Sequence, residues 1–415
     1  MEEWKEYKLD VVCKSIADGD HMPPPKVERG IPFVTISNIK DNRLDLSDTY
    51  FVPQKYYDAL DSKRKPQMGD TIYSVVGTFG KPVYIKDNNP FVFQRHIAIL
   101  RPDASLLNPL FLYYTLLSPQ FYRKADIMAI GAVQRTISLT SLRNTTIQIP
   151  SLAVQKEIVS ILKSLDDKIE VNRRINDNLE QQAQALFKSW FVDFKPFKDG
   201  EFVESELGMI PKEWRVVSLD EMTSKFGTGL NPRKNFKLGE GNNYYVTIKN
   251  MGNNRVYLDE RCDKVTDEAI EKINKRSKLQ AGDLLFSGIG TIGRVALITE
   301  TPTNWNTSES VFNMHPADNI SSEFLYVLLL SDVFQQYVKL HAQGGVQQGI
   351  RMASLKEYKM AIPDDNILQE FDKKVIPLVS LVKKTDDETD RLATLRDTLL
   401  PKLMSGELKV NDIKE

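Results

Sequence analysis

Three strings in the 415-residue chain hold side chains that could do chemistry. Gly288-Ile289-Gly290-Thr291-Ile292-Gly293 has the glycine spacing of a dinucleotide loop, in which a pyrophosphate approaches the N-terminus of the following helix. Here the β-like run Arg294-Val295-Ala296-Leu297-Ile298 follows instead. The glycines are therefore expected to serve a tight turn that brings backbone close to a partner. Pro363-Asp364 with Asp372-Lys373-Lys374 imitates a nuclease carboxylate-lysine set, but the latter group lies on a helical pattern and reads as a solvated face. Asn89-Pro90-Phe91 imitates part of an adenine methyltransferase signature, without its second proline and without a cofactor loop. The histidines His21, His96, His315 and His341 form no pair at metal-ligand spacing, and Cys13 and Cys262 stand alone. No catalytic constellation results.

What remains is a set of small polar and basic residues beside turn glycines. In the first half these are Thr35, Ser37, Asn38 and Lys40; Thr78 and Lys81; Arg95; and Gln134 with Arg135. In the second half they are Thr247, Lys249 and Asn250; Thr291 and Arg294; and Gln347 with Gln348. Asn, Gln, Lys and Arg are the side chains that read base edges or hold phosphates, so these positions are candidate DNA contacts. Thr, Ser and Asn also cap turns, which is the competing use of the same residues.

The two sets exist because the chain repeats itself. Val34-Thr35-Ile36-Ser37-Asn38-Ile39 recurs as Val246-Thr247-Ile248-Lys249-Asn250-Met251, at an offset of 212. Gly69-Asp70-Thr71-Ile72-Tyr73-Ser74 recurs as Gly282-Asp283-Leu284-Leu285-Phe286-Ser287, at an offset of 213, and Ile149-Pro150 answers Ile362-Pro363 at the same offset. The repeat makes the chain two copies of one unit. At this offset Arg95-His96 stand against Ser308-Glu309, so the two copies differ in their polar tips.

Each unit must contain elements that carry these tips. Its first ~150 residues are broken by Gly and Pro and carry short β-branched and aromatic runs, read as strands, turns and a few helices. From Ser151 the pattern becomes helical, with Ile158, Ile161, Leu165, Ile175, Leu179 and Leu186 at three- and four-residue spacing. Ile158, Leu165, Asn172, Leu179 and Leu186 occupy successive a positions of heptads, and Phe371, Leu378, Thr385, Leu392 and Leu399 do so in the second copy. Both seams carry a polar residue at the third a position, which fits two long helices packed on each other with their register fixed there. A helix of about 40 residues spans roughly 60 Å and makes a spacer. The expected fold is α+β: two similar globular mixed α/β heads, at 1–150 and 196–362, joined by two long antiparallel coiled-coil helices, at 151–195 and 363–415, with a pseudo-twofold internal repeat.

Three longer strings carry a family resemblance. Leu395-Arg396-Asp397-Thr398-Leu399-Leu400-Pro401-Lys402-Leu403-Met404-Ser405-Gly406-Glu407-Leu408 resembles the C-terminal helix of the specificity subunits of type I restriction-modification enzymes. Ala185-Leu186-Phe187-Lys188-Ser189-Trp190-Phe191-Val192-Asp193-Phe194 resembles their central helix, and Leu207-Gly208-Met209-Ile210-Pro211-Lys212-Glu213-Trp214 resembles the entry to a second recognition domain. The resemblance implies two target recognition domains, each reading one part of a bipartite, asymmetric site in double-stranded DNA. It implies two adenine methyltransferase subunits and two ATP-driven restriction subunits as partners, with S-adenosylmethionine, ATP and magnesium held there and no cofactor in this chain. It implies no turnover of the chain's own. The recognition loops of the family vary, so no DNA sequence carries over.

Composition sets the remaining bounds. The 55 Lys and Arg residues against 56 Asp and Glu give a net charge of −1, with acidic excess in residues 363–415, away from the heads. No stretch approaches ~18 consecutive apolar residues, so no membrane partner is expected and a cytoplasmic protein is. The near-neutral charge keeps one alternative open: a coiled-coil assembly scaffold whose heads bind protein.

Overall fold

In a computed structural model the described residues are 4–19, 21, 24–132, 134–345 and 348–414. The chain divides into two compact units, Met1–Val171 with Glu388–Glu415, and Asn172–Asp387. Both boundaries fall inside long helices.

In the first unit a four-stranded antiparallel sheet runs in the order Cys13–Asp18, Ile97–Pro102, Thr71–Ser74, Pro82–Tyr84. Ile99 sits opposite both Ala17 and Ile72. A smaller sheet pairs Ile31–Val34 with Tyr50–Val52, antiparallel, and with Val92–Phe93, parallel. Two helices, Pro109–Leu117 and Pro119–Met128, cover the main sheet; Asn108 and Ser118 cap them through their side chains, and proline takes the first helical position of each. Tyr73, Leu100, Phe111 and Leu116 pack at the centre, none more than 1% exposed.

The second unit repeats this plan with the strand order Thr223–Thr228, Val311–Pro316, Leu284–Ser287, Val295–Leu297. Its covering helices are Ser322–Leu330 and Asp332–His341, capped by Ser321 and Ser331. One difference between the units is in a helix. The helix Asp267–Ser277 has 11 residues, where the first unit has the six-residue Gln54–Ala59. The sequence explains this: Thr266 caps the longer helix through its side chain, Asp267 and Glu268 fill its first turn and Lys275 and Arg276 its last, all favourable to the helix dipole. Pro53 offers Gln54–Ala59 no side-chain cap.

The long helices are Leu152–Phe187 and Asp365–Ser405. Within the first unit they pair antiparallel, Asp166 meeting Arg396 at 2.8 Å and Lys168 meeting Glu388 at 3.3 Å. Within the second unit the pairing is again antiparallel, Asn176 Nδ2 donating to the Val382 carbonyl (3.3 Å) and to Asp386 (2.8 Å), while Phe187 and Phe371 lie edge to face. The buried stripe keeps the seven-residue period through Ile158, Leu162, Ile169, Asn172, Asn176, Leu179 and Ala183, while Leu165 and Leu186, which the heptad reading set on the seam, are half-buried. Ile175, which shares the helical spacing, is 38% exposed. Thr385 is buried as the second copy's polar a residue, and Asn176 adds a polar position that the heptad reading did not contain.

Candidate nucleic-acid interface

The sheet geometry of each unit collects its candidate residues on adjoining turns. In the first unit the Gly77 N–H donates to the Arg135 carbonyl (2.9 Å), Ile137 donates to Val75 (2.8 Å), Val75 to His96 (2.9 Å) and Gln94 to Val34 (3.1 Å). These bonds stitch together the turns holding Thr35 to Lys40, Thr78 with Lys81, Arg95, and Gln134 with Arg135. In the second unit Gly290 donates to Gln348 (2.7 Å), Ile350 to Gly288 (2.9 Å), Gly288 to Ser310 (2.9 Å) and Ser308 to Val246 (2.8 Å). The same four turns meet in the same way.

The glycine strings are the hinges of this assembly. Gly77 and Gly80 have φ of 69° and 89°, and Gly290 and Gly293 have 79° and 91°, a region that side chains disfavour. A Cβ at Gly80 would stand 2.7 Å from the Tyr122 ring, and one at Gly293 2.3 Å from Gln335. Buried Ser74 and Ser287 hold the turns from beneath, accepting from the backbone N–H of Lys81 (2.9 Å) and of Arg294 (2.8 Å). A packed β-turn, with Val295–Leu297 as a strand behind it, thus occupies the place where a dinucleotide loop would need a helix. Likewise Asp364 accepts from the Ile367 N–H at the start of a long helix (3.0 Å) and Asp372 accepts from Ser321 (2.7 Å), so these carboxylates serve helix packing. Among the described residues no three His, Cys, Asp or Glu side chains cluster as metal ligands, and both cysteines are buried thiols, Cys13 pushed up to about 12 by burial.

The candidates separate by exposure. Thr78, Arg95 and Gln134 are exposed, as are Thr291 and Gln348, while Gln347 lies outside the described residues. Lys81 is half-buried, and Lys40 is exposed beside Asp45 at 2.5 Å. That contact holds the Lys40 ammonium above its ordinary range and the Asp45 carboxyl below its own. Lys249 pairs with Asp263 (3.1 Å), and Arg135 pairs with Asp126 and lies over the Phe79 ring at 5.2 Å. Ser37 is exposed and hydrogen-bonded to Thr35 (2.7 Å).

Asn38 and Asn250 are different, 5% and 0% exposed. Each caps a 3-10 turn reciprocally with Thr35 or Thr247, the backbone N–H of the threonine donating to the amide oxygen at 2.8 and 2.9 Å. Their amide oxygens are spent on shaping the loop; Asn38 Nδ2 also donates to the Asp45 carbonyl (3.1 Å), whereas the buried Asn250 Nδ2 meets no hydrogen-bond partner among the described residues. Arg294 is likewise occupied, donating to the carbonyls of Ile248 (3.0 Å) and Met251.

Strand register also sharpens the contrast between the tips. Val75 bonds to His96 where Gly288 bonds to Ser310, which shifts the correspondence here to an offset of 214. Arg95 therefore corresponds to Glu309 in the repeat, and His96 to Ser310. Glu309 is held by Asn231 and by the Tyr245 hydroxyl (3.4 Å), and burial and that carboxylate push the Tyr245 hydroxyl above its ordinary range. Nothing in the sequence marked Asn231 or Tyr245 as neighbours of this tip. Also missed were Ile127 and Leu340, which share one position of the repeat next to these turns and are 84% and 82% exposed; pairing exposed positions at the 213 offset would have found them.

A sequence profile described as the type I restriction modification DNA specificity domain matches residues 1–181 and 211–389. The chain belongs to that family. Specificity subunits are its similar relatives: that of the HindI enzyme of Haemophilus influenzae is 26% identical over 98% of this chain and 100% of its own length. The MjaIX specificity subunit of Methanocaldococcus jannaschii is 26% identical over 78% of this chain and 74% of its own. Among solved structures, the S subunit of a type I restriction-modification system from M. genitalium shares the fold, with a TM-score of 0.54 and 17% identity over 97% of this chain and 96% of that one. This type I specificity subunit is the DNA-recognising, non-catalytic member of its system. No described helix is long and apolar enough to cross a membrane.

Proposed function

We propose that the two heads of this specificity subunit each read one part of a bipartite, asymmetric site in double-stranded DNA. The observation that carries this reading is the repeated junction of four turns with different polar tips: Arg95 and Arg135 in one head, Glu309 and Gln348 in the other. A shared scaffold with altered tips suits two different half-sites. Residues 1–150 and 196–362 act as the recognition domains, and the helical segments 151–195 and 363–415 set the number of unread base pairs and dock the partner subunits. The exposed groups Ser37, Lys40, Thr78, Arg95 and Gln134, with the half-buried Lys81 and Arg135, serve the first half-site, and Lys249, Thr291 and Gln348 the second.

The partners are the methyltransferase and restriction subunits of such systems, two of each, working in the cytoplasm, with the chemistry and its cofactors residing in them. Neither half of this chain is strongly basic, so much of the phosphate grip comes from those partners. The test is a binding titration of the complex with methyltransferase subunits on duplexes whose half-sites are scrambled one at a time. Gln134→Ala is expected to lose about 1 to 3 kcal/mol of discrimination at one half-site only. Equal loss at both, or no half-site preference in the native complex, overturns the reading.

A further inference from the structure

The two units fill the space between covering helix and long helices differently. In the first unit the Arg396 guanidinium donates to Asp166 (2.8 Å) and meets Asp397 (2.8 Å), and the Tyr114 hydroxyl donates to the other oxygen of Asp166 (2.8 Å). Tyr114 is 1% exposed, so this polar group is packed into the unit. At the 213 offset the second unit has Ala183 for Arg396, Val379 for Asp166 and Val327 for Tyr114. Guanidinium, carboxylate and phenol are replaced by a methyl and two isopropyl groups. The space they leave is a cavity of about 210 Å³, and Ala183, Val379 and Val327 all line it.

Its wall keeps four polar residues, Glu180, Gln184, Asn254 and Tyr326. Glu180, a lining residue, stands where the first unit has Ala393. Its carboxylate accepts one hydrogen bond from Asn254 (2.9 Å), and burial pushes its pKa up. The Tyr326 hydroxyl, in a residue 2% exposed, meets no hydrogen-bond partner among the described residues. A buried hydroxyl without a partner is costly, so a ligand that donates to it is favoured. Lys383 lies over the Tyr326 ring at 5.2 Å and donates to the Asn254 carbonyl (3.2 Å). Gln184 Nε2 donates to the Val327 carbonyl (2.9 Å), and the rest of the lining, including Leu179, Leu378 and Val382, is aliphatic.

We propose that this cavity binds an alkyl guanidinium group, the chemistry that the first unit supplies from its own Arg396. The Glu180 carboxylate is its counter-ion, the Tyr326 hydroxyl accepts one of its N–H groups, and the aliphatic wall takes its stem. An arginine side chain of a bound protein and a free guanidino compound both carry this chemistry.

The full-length chain is titrated by calorimetry with propylguanidinium chloride and, in parallel, with a Gly-Arg-Gly peptide blocked at both ends. Saturable propylguanidinium binding is expected, weakened at least about tenfold by Glu180→Gln, since a charge-assisted bond is lost. Ala183→Leu, which fills the space, is expected to abolish it. Binding of the peptide as well assigns the site to a protein's arginine; exclusion of the peptide assigns it to a small molecule. Ala183→Arg with Val379→Asp rebuilds the first unit's pair and is expected to raise the melting temperature while eliminating binding, a readout independent of how Glu180→Gln folds. Absence of saturable binding to the native chain, or equal binding by the Glu180→Gln and Ala183→Leu variants, overturns the proposal.

Discussion

Each unit buries one aspartate at the same point of its main sheet and gives it a different partner. Asp70, 2% exposed, receives Arg101 through two bonds of 2.9 and 2.8 Å, and the same guanidinium reaches the Lys65 carbonyl (2.9 Å). Asp283, 1% exposed, meets the His315 ring at 2.7 Å, and both aspartates also accept a backbone N–H, from Gln67 and Gln280, at 2.9 Å. The guanidinium keeps its charge and spans four acceptors, the Ser62 carbonyl (3.4 Å) among them, while the imidazole offers Asp283 one bond. The difference teaches that the repeat preserves the buried acid, which shapes the turn before the strand, while its neutralisation has drifted. The tips show the same split, with Thr35-to-Asn38 and Thr247-to-Asn250 caps retained while Arg95 has become Glu309.

The sharpest way to break this comparison is to remove each partner. Arg101→Met strands a buried carboxylate and is expected to cost the first unit about 3 kcal/mol, whereas His315→Ala should cost the second about 1 kcal/mol. Hydrogen exchange read peptide by peptide under mild urea assigns each loss to its unit; equal losses would show that the two sites are energetically alike.

A smaller effect follows from acid. Burial holds the Asp283 carboxyl above its ordinary value, against the lowering contributions of the Gln280 N–H, His315 and Lys225. The folded unit therefore keeps a proton that the unfolded chain has released. Its contribution to stability is fully present below the unfolded value and is lost as the pH rises through the folded one. The urea midpoint of the second unit should fall across that window, and Asp283→Asn should flatten the slope.

The smallest effect separates two cations at corresponding positions. Lys81→Ala should weaken binding to all DNA sequences and reduce the salt slope of the complex by about 1. Arg294→Ala, which removes a cap on two carbonyls, should leave that slope unchanged and show its cost in thermal unfolding. A reduced salt slope for Arg294→Ala would place its guanidinium on phosphate instead.

The repeat, the long helices and the glycine turns were legible because they rest on spacing, and spacing survives in the sequence. The inward rotation of Asn38 and Asn250 was not, since a Thr-x-x-Asn string reads equally as a surface pair or a reciprocal cap. The one-residue slip that aligns Arg95 with Glu309 was hidden in a loop, where no periodicity anchors the register. Ile175 carried the right spacing and still faces solvent, because a helix in a pair buries only the stripe toward its partner. The smallness of Ala183, Val327 and Val379 acquires meaning only when packing brings three distant positions to one space.

The first unit is discontinuous along the chain. Leu400, Leu403, Met404 and Val410 lie in its core beside Leu9 and Phe111, and Gln120 donates to the Pro401 carbonyl (2.8 Å). During vectorial synthesis these residues emerge only after all of Asn172–Asp387 has been made. At typical translation rates the nascent first unit waits roughly 10 to 40 s for them with apolar surface uncovered. The half of the protein that leaves the ribosome first is thus the last to be completed, and it is the half a chaperone would have to shelter.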